Sequence, residues 1–208
     1  MSILDKLAIS LGRRDEVPNQ ELAAQIVESN DAAAVEELIR NLWNKDRNIQ
    51  SDCIKTLYEI GERNAGMIAA YHKEFGLLLE SKNNRLVWGA MTALDAIAAE
   101  NPKGVYSLLA KIMATADSGS VITRDHAVGV LVKLGALKQY AAQCIPLLLE
   151  QLAQCPNNQF PMYCEKSLAV INESNGLQFQ KVLKARLGNL EKESQQRRVA
   201  KVLKKIGG

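Results

Sequence analysis

Residues 90–98 read AMTALDAIA: a small residue, Leu94 four places on and Ile97 three beyond it, with Asp95 as the one charged side chain. At the period of an α-helix these three apolar positions share one face. The pattern returns as CIKTLYEIG from Cys53, AVGVLVKLG from Ala127, CEKSLAVIN from Cys164 and VAKVLKKIG from Val199, with starts 37, 37, 37 and 35 residues apart. After the last apolar position stand Gly61, Ala98, Gly135, Asn172 and Gly207. Gly and Asn tolerate the left-handed conformation that closes a helix, so most copies are expected to end there. Seven places before the first four starts stand Asp46, Asn83, Ser120 and Asn157, all side chains that can accept a free backbone N–H at a helix start.

A second apolar-periodic run precedes each copy. Fifteen residues back from the first four starts are Leu38, Phe75, Ile112 and Leu149, inside runs such as AAVEELIRNLW and CIPLLLEQLA. Polar turns at KDRN, KNN, DSGS and PNN separate the two helices of each pair. A helix pair cannot cover its own apolar face and must stack on its neighbours, so a fixed period of helix pairs implies a solenoid. Nothing in the chain reads as a strand.

The second-helix pattern resembles that of HEAT repeats, in the short form D-x-x-V-R-x-x-A-x-x-A-L-x-x-I-G. Asp46, Ile49, Cys53, Thr56, Leu57, Ile60 and Gly61 follow it, as do Asn83, Leu86, Ala90, Ala93, Leu94, Ile97 and Ala98. Ser120, Arg124, Ala127, Val130, Leu131, Leu134 and Gly135 make a third copy, and Asn157, Phe160, Cys164, Ser167, Leu168, Ile171 and Asn172 a looser fourth. The family's basic position is kept only at Arg124, being Gln50, Val87 and Pro161 elsewhere, and Pro146 stands where such repeats often carry a kinking proline. The resemblance implies an all-α fold, a right-handed α-α superhelix of about five helix pairs with an N-terminal helical cap. The expected organisation is a cap over 1–30 and pairs at about 31–64, 65–101, 102–138, 139–175 and 176–208, in one continuous domain. In the cap, a short helix ends near Gly12, and Asn19 opens a second one, QELAAQIVES.

Composition sets the outer limits. With 208 residues, 47% hydrophobic, 24% charged and 5% aromatic, the chain can bury a sizeable core. No apolar stretch approaches the roughly 20 residues that cross a bilayer. SILDKLAISLG lacks a basic start and a cleavage site and is interrupted by Asp5, so it does not read as a signal peptide, and the expected location is cytoplasmic. Cys53, Cys144, Cys155 and Cys164 are irregularly spaced with no CxxC, which points to reduced thiols and to neither zinc nor a disulfide framework. Cys53 and Cys164 fill the small-residue slot of their helices. No metal or other cofactor is expected.

If the apolar stripe faces the core, positions two before and two, five and six after each start face away from it, on the surface that HEAT-like stacks usually present as their concave side. Tyr58, Trp88, Val132, Met162 and Val170 make this face unexpectedly apolar, with Asp95 and Lys166 beside them. The candidate partner-binding residues are therefore Tyr58, Trp88, Asp95, Val132, Met162 and Lys166, a surface for a peptide or partner helix. The other reading is that these residues pack against neighbouring helices, as Trp43 is expected to do at the end of its first helix. The C-terminal segment 177–208 holds nine basic residues against Glu191 and Glu193, a local charge of +7 that leaves −4 for the rest. Arg197, Arg198, Lys201, Lys204 and Lys205 form its basic patch, either a solvated cap or a site for phosphate, nucleic acid or an acidic partner.

Enzymatic readings find less support. HEAT-like di-iron hydroxylases resemble one another in paired His-Glu motifs, but His72 and His126 are followed by Lys73 and Ala127. Trp88, Arg124 and Asp125 superficially suit a HEAT-like DNA glycosylase, though few aromatics and a negative central region speak against it. His126 reads as a helix residue near the surface. The expected function is a non-enzymatic interaction scaffold, with nucleic-acid binding as the alternative.

Overall fold

The structure, a computed structural model, describes residues 2–207. These form twelve α-helices and four 3-10 turns, with no strand among the described residues. They open with α1 (Val17–Ser29), α2 (Ala32–Arg40), α3 (Arg47–Arg63), α4 (His72–Leu78), α5 (Asn84–Ile97), α6 (Pro102–Tyr106) and α7 (Leu109–Ser118). They continue with α8 (Val121–Gly135), α9 (Lys138–Gln154), α10 (Phe160–Ser167), α11 (Gly176–Leu187) and α12 (Glu193–Gly207). Packing divides the chain into two compact units, 1–127 and 128–208.

In the first unit, α2 packs on α3 and α4 on α5, while α1, α3 and α5 lie side by side. The repeated stripe explains this arrangement. Cys53, Leu57 and Ile60 of α3 and Ala90, Leu94 and Ile97 of α5 are all fully buried, against first-helix residues such as Leu38 and Phe75. Burying each such Leu or Ile contributes about 1.5–3 kcal/mol. Asp46 caps α3 by accepting from Asn48 N at 2.8 Å, and Asn83 caps α5 by accepting from Arg85 N at 3.1 Å.

The helix ends differ from expectation. Only Gly12 (φ 68°) and Asn30 (φ 50°) are left-handed among the described residues, so Gly61, Gly135 and Asn172 do not close their helices that way. Gly61 lies inside α3, where a Cβ would stand 2.5 Å from Ile68 Cδ1; its smallness admits the next segment. Gly89 likewise leaves room for Ile54 of α3, whose Cγ1 would be 2.4 Å from a Cβ there.

At the N-terminus only Ile3–Lys6 forms a 3-10 turn, followed by turns as far as Gly12, in place of a longer helix. α1 begins at Val17, ahead of Asn19, because Pro18 suits a first helical turn. Asn19 is instead buried and accepts from Ala8 N at 3.0 Å, pinning the N-terminal segment to α1. Ser120 does not cap α8 either. Its Oγ is buried without a hydrogen-bond partner, while its carbonyl accepts from Thr123 Oγ1 at 2.7 Å.

In the second unit, α9 packs on α10 and α11 on α12, with α9 against α11 and α10 against α12. Its core gathers Leu148, Leu152, Phe160, Tyr163, Phe179, Leu183 and Val199. The buried stripe of α9 is Cys144, Leu148 and Leu152, so Leu149 stands one step off it and is half-buried. α10 starts at Phe160, with Pro161 in its first turn, and ends at Ser167; Leu168 and Ile171 therefore fall past its end and are half-buried. Val170, expected on the outer face, is buried, and its carbonyl accepts from Asn175 Nδ2 at 2.9 Å. Asn157 does not cap α10. Its Oδ1 accepts from Arg186 Nη2 at 2.7 Å and its Nδ2 donates to the Asn189 carbonyl at 3.1 Å, tying the turn before α10 to the end of α11.

Candidate functional site

The first unit carries a groove of about 880 Å³ on the side of its second helices. Tyr58 and Ser51 of α3, Trp88 and Thr92 of α5 and Ile122 of α8 line it, and one wall is the N-terminal segment. That wall is fixed by two bonds: Ala8 N donates to Asn19 Oδ1, and Ile9 N donates to Asp52 Oδ2 at 2.8 Å. Gly89, also in the lining, keeps α3 and α5 close at the floor.

Tyr58 and Trp88 thus meet in one groove, both half-buried. Their surroundings are more ionic than the apolar pattern implies. Lys55 and Glu59, expected to face outward, are buried at 8% and 7% exposure because the start of α1 covers them. Lys55 Nζ meets Glu16 Oε2 and Glu59 Oε1, each at 2.8 Å, and sits 4.7 Å from the centre of the Tyr58 ring. Arg63 Nη1 completes the network on Glu59 Oε2 at 2.5 Å. Burial pulls the Lys55 amine down, but its bonds to Glu16 and Glu59 outweigh that and raise it above its ordinary value. Burial would raise Glu59, and the Arg63 and Lys55 bonds instead hold it below the usual carboxylate range. Desolvation raises the Tyr58 phenol above its ordinary value.

Asp95 stands outside this lining, bonded from Oδ2 to His126 Nδ1 at 2.9 Å. The other ring nitrogen of His126 meets Thr92 Oγ1 at 3.0 Å, and that hydroxyl donates to the Trp88 carbonyl at 3.0 Å. The order Asp, His, Thr is that of a proton relay, yet Thr92 is 9% exposed and its hydroxyl is engaged within its own helix. The trio joins α5 to the start of α8. Sequence reading missed it, although the register holds a signal: the residue just before one copy's start faces positions two and five after the preceding start.

Val132, Met162 and Lys166 belong to the second unit and are half-buried there. In the basic patch, Arg198 forms a two-point ion pair with Glu165 at 2.8 and 2.6 Å, and Arg197 pairs with Glu193 at 2.5 Å. The Arg198 bond holds the Glu165 carboxyl below its ordinary value. Lys201, Lys204 and Lys205 remain exposed, with no ion pair among the described residues. Trp43, expected to pack, is 51% exposed and lines a smaller depression of about 320 Å³ with Leu77. All four cysteines are buried free thiols, and burial raises Cys144 to about 11. No group of metal-binding side chains occurs among the described residues, and no helix there is long and apolar enough to cross a membrane.

No protein-family model and no curated protein matches the chain. Solved structures do. A designed armadillo repeat protein in complex with the peptide (KR)4 aligns at 15% identity over 90% of this chain and 86% of that one, with a TM-score of 0.69. An engineered protein aligns at 19% identity over 100% of this chain and 97% of that one, TM-score 0.67. The archaeal HEAT-like repeats protein from Thermococcus onnurineus NA1 aligns at 16% identity over 93% of this chain and 97% of that one, TM-score 0.51. The chain has a HEAT/armadillo-type fold, an all-α repeat solenoid.

Proposed function

We propose that this protein is a non-enzymatic interaction scaffold that holds a peptide or helix of a partner protein in the groove beside Tyr58 and Trp88. The observation that carries the reading is the groove itself: two aromatic residues from successive second helices converge in it, under a wall anchored by Asn19 and Asp52. Aromatic side chains with a polar tip are the usual anchors of binding surfaces. A similar fold binds a peptide in the designed armadillo protein. Four buried thiols fit a reducing compartment such as the cytoplasm.

A peptide library selected against the wild-type protein, then rescreened on Trp88→Ala and Trp43→Ala proteins, tests this. Selected peptides should lose Trp88→Ala and keep Trp43→Ala. Retention by Trp88→Ala would overturn the proposal. The second reading, nucleic-acid binding through α12, rests on the exposed Lys201, Lys204 and Lys205, which form no ion pair among the described residues. It requires binding that weakens steeply with salt and disappears when these lysines become Glu.

A further inference from the structure

We infer that the partner segment in this groove is acidic: an extended stretch of a protein with carboxylates about two to three residues apart and an apolar side chain between them. The inference rests on the groove being the binding site and adds the chemistry of its occupant. It follows from which charges in the lining are already neutralised. Arg13 is held by Asp15, and Lys55 by Glu16 and Glu59. Arg14, Arg47 and Arg85 are exposed in the lining with no ion pair among the described residues. Only Asp52, which accepts the Ile9 N–H, stands against these three.

The placement of Arg85 is adverse for the fold alone. It is the second residue of α5, whose cap is the neutral Asn83 and whose first turn holds no acidic residue, whereas at α3 the Asp46 carboxylate already meets the helix end beside Arg47. The positive end of the helix dipole disfavours a cation there by about 0.3–1 kcal/mol. An anionic ligand reverses that sign, because it meets the arginine and the dipole together. Packed helices lie roughly 8–10 Å apart. An extended chain advances about 3.3 Å per residue, so carboxylates reaching Arg47 and Arg85 are separated by roughly two to three residues.

Trp88, in the same lining, supplies the apolar contact, since one face of the Tyr58 ring is occupied by Lys55. A single-stranded nucleic acid fits less well. It is held by a series of stacking rings, and the lining offers only Trp88 beside the partly covered Tyr58.

Fluorescein-labelled (Asp-Leu)4, (Ser-Leu)4 and (Lys-Leu)4 peptides are titrated by anisotropy into the wild type, Arg47→Gln/Arg85→Gln and Trp88→Ala proteins, with circular dichroism confirming that each is folded. The expected result is binding of (Asp-Leu)4 at least about tenfold tighter than (Ser-Leu)4. That preference should shrink as salt screens it and vanish in Arg47→Gln/Arg85→Gln. Equal binding of all three peptides, lost in Trp88→Ala, would overturn the acidic preference and leave the groove as a peptide site. Binding of none, or binding that Trp88→Ala leaves intact, would overturn the groove reading as well. Displacement of (Asp-Leu)4 by oligothymidylate at lower concentration than by unlabelled peptide would overturn the inference in favour of nucleic acid.

Discussion

The second helices of the two units obey the same repeat to different degrees. In α3 and α5 every stripe position is buried and both expected side-chain caps form. Of the three stripe positions of the fourth copy only Cys164 is buried, Leu168 and Ile171 falling past the end of α10, and in α12 only Val199 is buried. The difference lies in what surrounds the stripe. Asp46 and Asn83 each satisfy a backbone N–H at the helix start, so capping and periodicity agree. At α10 Pro161 sets a later start, and Asn157 reaches Arg186 and Asn189 instead. A repeat can therefore survive the loss of its local signals when a side chain ties it to the next pair.

The contrast is most exposed to core truncation. Leu94→Ala should cost about 2–5 kcal/mol and Leu168→Ala under about 1 kcal/mol, measured by urea denaturation. Equal losses would mean that α10 keeps the same stripe as α5. Capping comes next. Asn83→Ala should cost about 1 kcal/mol, whereas Ser120→Ala should be neutral or slightly stabilising, because it removes a buried hydroxyl that has no partner.

The ionic network offers a pH test within the first unit. Glu59 is held below its ordinary 4.5, so its contribution is present above that pH and is lost as pH falls through the lowered value. Lys55 is raised above its ordinary 10.5, so its contribution is complete below that pH and is lost as pH rises through the raised value. Thermal melts should show the wild type losing more stability than Glu59→Gln on acidification below 4.5. A parallel loss in both proteins would remove Glu59 from the network. The smallest effect belongs to the exposed Arg198–Glu165 pair, where a double-mutant cycle should return about 0.2–1 kcal/mol.

How far each feature was legible follows from how local its cause is. The period, the helix pairs and the core positions of α3 and α5 depend on spacing along the chain, and spacing is written in the residues. The place of Tyr58 and Trp88 in one groove followed from the same register. The burial of Lys55 and Glu59 depends on the start of α1 lying over α3, a contact between segments some 40 residues apart. The clasp of His126 on Asp95 and Thr92, and that of Asn157 on Arg186, likewise join different repeats. Helix ends were misjudged because Gly61 serves close packing, and a glycine in sequence does not say which of its two uses applies.

The groove claim meets its most direct test in tryptophan fluorescence, since Trp43 and Trp88 are the two reporters in the chain. An acidic peptide such as (Asp-Leu)4 is titrated into Trp43→Phe and Trp88→Phe proteins. A saturable change in emission is expected when Trp88 alone remains and none when Trp43 alone remains. A change confined to Trp43 would place binding in the smaller depression beside Leu77 and contradict the account.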